Sequence, residues 1–546
     1  VTADQDRLAR DDLRTAWRRA GVYPDLTVGE AIAVGCASHP DGVLVFAQVD
    51  GRSSVVSLGE LYQRAVDDAG RMISAGVRPG DTVVVQAPAD LTGTQALAAV
   101  WILGAIAVPL ATTASGEEVA HVVRETGATN FVVAPEWRGR DLVTPLVEAS
   151  SALPLRPSLR TVLALGDDPT ITDGSVARLG SFTAVPLPSD QPRDPTSVAC
   201  VLYTSGSTAA PKGVRHSHET LLCGLSAAPA EAGSRMLATF PAGHVASLLG
   251  LLRPLSVGGT TVIMDRWSAR AAVQLIEEHR ITASAGTPFF LSTLLDEADR
   301  SGRDISSLGR FLCGAAAVPP ALVARSEAAG VVTWRTYGST EHPALSSGGP
   351  LDPPEKRRLT DGRVTPLNEV RLLDEGGRDV EAGEEGEIVA RGPKQFLGYQ
   401  DRRADTDAFV HTTWFRTGDL GHFDDDGYLV VTDRVKDIII RGGENISARE
   451  VEEVLARHPA VAEVAVCSDP DEVWGEAVCA VVVSRDGAGD PTIDELVALT
   501  DAAGLAPHKR PTRVVHTDAL PRTAAGKVRK RDLRPLLEAG STDPSG

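Results

Sequence analysis

The chain has 546 residues, a length that points to more than one domain, and its 42% hydrophobic content is ordinary for a globular protein. Aromatic residues make up only 4%, so Val, Leu, Ala and Ile must fill the core. The formal net charge of −19 excludes the basic surface that nucleic acids require and gives no simple attraction to anionic lipid; its plain reading is solubility.

Along the chain, short β-rich runs alternate with helical stretches. Residues 1–19 are charged and lack an apolar signal-peptide region, so no leader is expected there. Residues 58–75 read as a helix and 81–86 as a strand. The longest apolar run, 96–111, is interrupted by Gly104 and Pro109 and is short for a bilayer span, so a core helix passing into a strand is expected. Further strands are expected at 130–134, 161–165 and 260–264, with a helix at 269–280. This βα alternation predicts helix-covered, mostly parallel sheets, with ligands at the carboxyl ends of the strands. Cys36, Cys200, Cys223, Cys313, Cys467 and Cys479 form no CxxC pair, and most have apolar neighbours. They read as buried thiols of a reducing compartment, and a cytoplasmic protein is expected.

The C-terminal stretch reads as a separate small α+β domain. Ser447 and Glu450 have the spacing of a capping box ahead of a helix at 448–458, as do Thr492 and Glu495 ahead of another. Strands are expected at 461–467 and 477–483, and the Gly-, Ser- and Pro-rich tail after Glu538 is expected to fray. The boundary is placed so that 1–435 and 436–546 form two domains.

Residues 203–213, Tyr-Thr-Ser-Gly-Ser-Thr-Ala-Ala-Pro-Lys-Gly, follow an apolar run. Such a loop can offer backbone N–H groups, hydroxyls and one ammonium to a polyphosphate. The string resembles the phosphate loop of the adenylate-forming superfamily, which contains acyl-CoA ligases, peptide-synthetase adenylation domains and luciferases. Seven further segments resemble that family's motifs, in its order: Pro241 to His244, Cys313 to Pro319, Tyr337 to Glu341, Gly386 to Tyr399, Trp414 to Asp419, Asp433 to Asn445, and Pro521 to Lys527. The resemblance implies an α/β fold with a large N-terminal domain of mostly parallel sheets and a small mobile C-terminal α+β domain.

It also implies a two-step reaction. A carboxylate attacks the α-phosphate of ATP and pyrophosphate leaves; the thiol of coenzyme A then attacks the acyl-adenylate and AMP leaves. On this resemblance Lys527 bridges carboxylate and α-phosphate, Glu341 holds Mg²⁺ and Thr340 touches the α-phosphate. His244 stands at the acid pocket, which is expected to include Thr287 and Pro288. Nucleotide contacts fall to Thr204, Ser205, Gly206, Ser207, Thr208, Ala209, Lys212, Gly314, Ala315, Ala316, Tyr337, Gly338, Asp419 and Arg434. Lys436 matches the hinge, and Gly442 and Gly443 the strand that approaches the pantetheine arm of coenzyme A. The Gly-Gly-Glu-Asn form there resembles acyl-CoA ligases more than peptide-synthetase domains, although transfer to a carrier-protein arm stays open.

Three positions depart from the family pattern. Ala209 stands where the phosphate loop normally has glycine, Cys313 replaces a common glycine, and Leu367-Asn368 stands where Pro-Gly-type residues are common. A methyl group at 209 would burden ATP and pyrophosphate, not an acyl-adenylate, which has no β- or γ-phosphate. The expectation is therefore asymmetric, with adenylation weakened and thioester formation spared; a separate adenylating enzyme could then supply the adenylate. The Ala-containing loop is also similar to that of diterpenoid-acid ligases of natural-product pathways.

Overall fold

The computed structural model describes residues 3–151, 161–166, 176–188, 193–204, 211–223, 225, 234–442, 444–471 and 473–539. Among them, two large sheets dominate, of nine and seven strands. The inner pairs of both are parallel, as in Val83 beside Ala107 and Phe311 beside Thr333, with antiparallel strands only at the edges. The apolar run becomes the helix Leu91–Leu103, nearly every residue of which is buried, followed by the strand Ile106–Pro109. A helix buried all round needs no amphipathic period, which is why the run shows none.

A third, five-stranded sheet is wholly antiparallel: Glu369–Leu373, Gly386–Arg391, Phe409–Val410, Trp414–Phe423 and Leu429–Arg434. The expectation of mostly parallel sheets missed it, because hairpin strands carry no intervening helical stretch to announce them. Leu367 lies just before this sheet with φ of +70°, a left-handed conformation that favours glycine over a residue with a Cβ.

A fourth sheet carries the C-terminal residues, with Ile438–Arg441, Glu444–Ser447, Val461–Asp471, Gly475–Ser484 and Arg513–His516. Its helix Ala448–Leu455 is shorter than expected. Ser447 Oγ accepts from Glu450 N at 3.0 Å, but Glu450 turns to Lys509 Nζ at 2.6 Å, so the reciprocal half of that capping box is not made. The Thr492–Glu495 box is complete. The expected frayed tail lies outside the described residues beyond Ala539, which ends a short helix. Cys223 and Cys467 are half-buried and the other four cysteines buried, all as free thiols. Residues 3–19, read only as charged, form a helix that straps the molecule: Arg14 donates to the Phe396 carbonyl at 2.8 Å and Arg18 pairs with Glu219 at 2.6 Å. Among the described residues, no helix is long and apolar enough to cross a membrane.

Candidate active site

Candidate residues gather where parallel strands end. Thr204 closes the strand Val198–Thr204, Gly314 closes Arg310–Gly314 and Tyr337 closes Val332–Tyr337. The first strand belongs to the seven-stranded sheet and the other two to the nine-stranded one, and carboxyl ends of parallel strands are where such folds place ligands. Thr204 lies opposite Lys212 in an antiparallel pair that brackets the phosphate loop. Ser205, Gly206, Ser207, Thr208 and Ala209 lie outside the described residues, as does Gly443.

Asp419 is the electrostatic anchor. It is only 5% exposed, and it accepts from Tyr337 Oη at 2.7 Å and from Arg434 Nε at 2.7 Å. Burial, then the Asp419 charge, pushes the Tyr337 phenol well above its usual range, so it stays a donor. The Asp419 carboxylate raises Arg434 further. Two acceptor sites beyond those two bonds remain on such a carboxylate.

Lys527 arrives from the far end of the chain. Burial, with the Arg434 charge second, pushes its ammonium down to about 8, while Asp419 and Glu341 partly offset this and Lys436 adds to it. Its loop docks tightly on the helix Pro288–Ser301. Gly526 has φ of +82°, and a Cβ there would lie 2.8 Å from Phe289 Cδ1 and 3.1 Å from Thr287 Oγ1. The Arg522 guanidinium sits 4.5 Å above the Phe289 ring and its Nη1 donates to Gly526 O at 2.6 Å.

His244 caps the helix Val245–Val257, its Nδ1 accepting from Ala246 N at 3.1 Å, and its ring stacks on Phe240 at 4.9 Å. Burial, and then the Lys527 charge, pushes it down to about 3, so it is neutral with Nε2 as its donor. Thr287 is fully buried as the cap of the helix Pro288–Ser301. Gly314 and Gly338 are places where backbone approaches backbone: a Cβ would lie 2.6 Å from Thr336 O and 2.6 Å from Ala344 N respectively. Ala315, just after Gly314, takes φ of +66°, a rare conformation for a residue with a Cβ. Ala316 follows it in the same loop.

Glu341 Oε1 accepts from Tyr399 Oη at 2.8 Å, and the Lys212 ammonium lies 4.8 Å from the Tyr399 ring centroid. Burial, then Glu341, raises the Tyr399 phenol, so it remains a donor. Thr340 is held through its carbonyl, which accepts from His216 Nε2 at 2.7 Å. Burial pushes His216 down to about 4, so the ring is neutral with its proton on Nε2, and Nδ1 faces Thr220 Oγ1 at 3.0 Å. Sequence reading missed Tyr399 and His216 as site residues. Tyr399 lay in a segment taken as structural, and His216 has no local signal.

Lys436 is exposed in the turn Val435–Asp437, and its ammonium is lowered by partial desolvation and then by the Arg434 charge. Gly442 belongs to a different neighbourhood. Its N–H donates to Trp474 O at 2.8 Å, and a Cβ would lie 2.7 Å from Trp474 Cε3.

With this geometry in place, comparison with known proteins decides the family. Residues 33–400 match the AMP-binding enzyme model and 450–527 match its C-terminal domain model. The chain belongs to the AMP-binding enzyme family. This AMP-binding enzyme is 30% identical over 540 residues to the medium-chain fatty-acid–CoA ligase of Escherichia coli, covering 95% of this chain and 92% of that one. It is 33% identical over 540 residues to the salicyl-AMP ligase / salicyl-S-ArCP synthetase of Mycobacterium tuberculosis, covering 96% and 93%. Among solved structures, the amide bond synthetase McbA of Marinactinospora thermotolerans superimposes with a TM-score of 0.79 at 30% identity, covering 93% of this chain and 99% of McbA. These relatives make the AMP-binding enzyme a member of the adenylate-forming superfamily and an acid-activating ligase. They lend no support to a separate adenylating partner or to a specific link with diterpenoid-acid ligases.

Proposed function

We propose that the chain joins a carboxylic acid to coenzyme A through an acyl-adenylate. The observation that carries this reading is the docking of the loop that bears Lys527, from the C-terminal end, on Thr287 and Phe289, where the charges of Asp419, Arg434 and Glu341 act on its ammonium. Two anions must meet in the first step, and a desolvated ammonium between them offsets their repulsion. A carboxylate oxygen of the acid forms a bond to the α-phosphorus while the bond to pyrophosphate breaks. Lys527 orients both groups, and the Asp419–Arg434 pair holds the ribose.

Glu341 fits a divalent cation. Its Oε1 accepts from Tyr399, and among the described residues no cluster of three or more His, Cys, Asp or Glu forms an all-protein cage. One carboxylate plus substrate phosphates and water is the usual set for Mg²⁺, which would neutralise polyphosphate charge.

In the second step the thiol sulfur bonds to the acyl carbon, the carbon–oxygen bond to AMP breaks, and the thiol proton is released. Residues 1–435 and 436–546 act as two bodies. A turn at Lys436 withdraws Lys527 and brings the Gly442–Gly443 segment to the thiol arm, where absent side chains leave room. The relatives named above pass their acyl groups to CoA, to a carrier protein or into an amide, so the acceptor is the feature to test.

The test is ATP–pyrophosphate exchange across a panel of carboxylic acids, followed by product analysis with coenzyme A, a holo-carrier protein or an amine. Thioester formed only with coenzyme A supports the reading; exchange with no transfer to coenzyme A refutes it. Ala209 favours a second reading, in which adenylation is impaired and thioester formation from supplied acyl-adenylate is intact. Ala209→Gly should then raise exchange about tenfold, on the scale of the roughly 1–2 kcal/mol that a Cβ costs where a turn needs a left-handed φ. Wild-type exchange equal to that of the variant removes this second reading.

A further inference from the structure

We infer that the N-terminal helix Ala3–Arg19 is the back-plate of the turn that carries Thr340 and Glu341, with Arg14 and Arg18 as positioning residues for that turn. This rests on the reading above in which Glu341 holds Mg²⁺. Arg10, Arg14 and Arg18 are spaced four apart, so they lie along one face of the helix. That face is turned inward, with Arg10 only 4% and Arg14 only 5% exposed. Taking a guanidinium out of water is costly, and an element that only had to pack would do as well with apolar side chains there.

Two lines of contacts run from this face to neighbouring carbonyls. In the first, Arg14 Nη2 donates to Phe396 O at 2.8 Å, and Phe396 N donates to Glu341 O at 2.8 Å. Tyr399, in the same segment, donates from Oη to Glu341 Oε1 at 2.8 Å, and its ring meets that of Phe396 edge to face with centroids 5.0 Å apart. The segment 396–399 therefore holds both the main chain and the carboxylate of Glu341. Arg10 covers the same aromatic cluster: its guanidinium lies 3.9 Å from the centroid of the Phe409 ring, which stacks on Phe396 at 5.5 Å.

In the second line, Arg18 grips the buried Glu219 twice, Nε to Oε1 at 2.6 Å and Nη2 to Oε2 at 3.0 Å. The next residue, Thr220, places its Oγ1 3.0 Å from His216 Nδ1, and His216 Nε2 donates to Thr340 O at 2.7 Å. With the ring proton on Nε2, Nδ1 accepts from the Thr220 hydroxyl. Two consecutive carbonyls, those of Thr340 and Glu341, are thus tied to one helix. Asp419 is anchored separately, through Tyr337 and Arg434. Groups behind a ligating carboxylate fix its orientation and so raise its affinity for a cation. Loosening either line should therefore weaken the Mg²⁺-dependent part of ATP binding and spare AMP.

The experiment measures ATP affinity by titration calorimetry in Mg²⁺ and in EDTA, with AMP alongside, for the full-length chain. Arg14→Met removes the donor to Phe396 O, and Arg14→Lys keeps one. Thr220→Val breaks the second line without disturbing a buried charge, so it carries the test if Arg14→Met fails to fold; Thr220→Ser restores the hydroxyl. Glu341→Gln is the reference. Each disruptive variant should lose about five- to tenfold of the tightening that Mg²⁺ gives to ATP, the worth of one hydrogen bond. Affinity for AMP, and for ATP in EDTA, should change less than twofold. The Lys and Ser variants should recover most of the loss. An unchanged Mg²⁺ effect in the Arg14→Met/Thr220→Val double variant overturns the inference, as does an equal loss for AMP, which would signify general loosening. A Mg²⁺ effect that survives Glu341→Gln in full overturns the reading of Glu341 itself, and the positioning role falls with it.

Discussion

Gly526→Ala separates the two half-reactions. The substitution acts twice, and the two effects have different reach. Gly526 has φ of +82°, so any Cβ brings about 1–2 kcal/mol of backbone strain. That strain lies within the loop and accompanies it in every orientation of the C-terminal body, so it cancels when the half-reactions are compared. The second effect belongs only to the docked arrangement: the new Cβ would lie 2.8 Å from Phe289 Cδ1, closer than carbon atoms pack, and 3.1 Å from Thr287 Oγ1. Overpacking of this kind costs about 1–3 kcal/mol. On the proposed function adenylation needs Lys527 docked, so it should fall about 5- to 150-fold relative to thioester formation from supplied acyl-adenylate. Measuring kcat/KM for both steps in one preparation gives the ratio directly. Phe289→Ala in the same background removes the obstructing carbon and should restore most of the ratio, less the contribution of the Arg522 contact with that ring, about 0.5–1 kcal/mol. An equal fall in both half-reactions, or no rescue by Phe289→Ala, would refute docking of this loop on the Thr287–Phe289 corner as the adenylating arrangement.

Three further outcomes follow from the same geometry. Asp419→Asn turns an N–H₂ toward either Tyr337 or Arg434, and should weaken AMP binding about 10- to 100-fold through the loss of a charge-assisted hydrogen bond, read by titration calorimetry. Its removal also deletes a negative charge that holds the Lys527 proton, so the alkaline limb of the adenylation profile should move to lower pH. In the wild-type protein that limb should begin near the Lys527 value of about 8: the ammonium is the working form, so kcat/KM for adenylation falls as pH rises through it, while thioester formation shows no such limb from Lys527. Leu367→Gly should stabilise the fold by about 0.5–1 kcal/mol, visible as a higher urea midpoint, because it relieves a left-handed φ of +70° at a side chain that is 57% exposed and loses little burial.

Much of this protein is written in local strings. Strands such as Thr82–Gln86 and helices such as Leu58–Ser74 follow from β-branched runs and helical periodicity, which depend on neighbours a few residues away. The motif residues of the candidate site are legible for a related reason: on the proposed function, binding phosphate or a ribose needs particular groups at fixed spacing on one turn, as with Tyr337 and Glu341 or Thr417 and Asp419. Tertiary structure alone decided how those turns meet. No spacing rule connects Lys527 with His244, Tyr399 with Glu341, or His121 and Glu125 with the two strands beside the phosphate loop. Nor could spacing show that Glu450 turns from its helix cap to Lys509, or that the strands from Glu369 to Arg434 close an antiparallel sheet. Such contacts join residues far apart in the chain, and their geometry is set by how sheets and helices stack to bury apolar surface, which no short window of sequence contains.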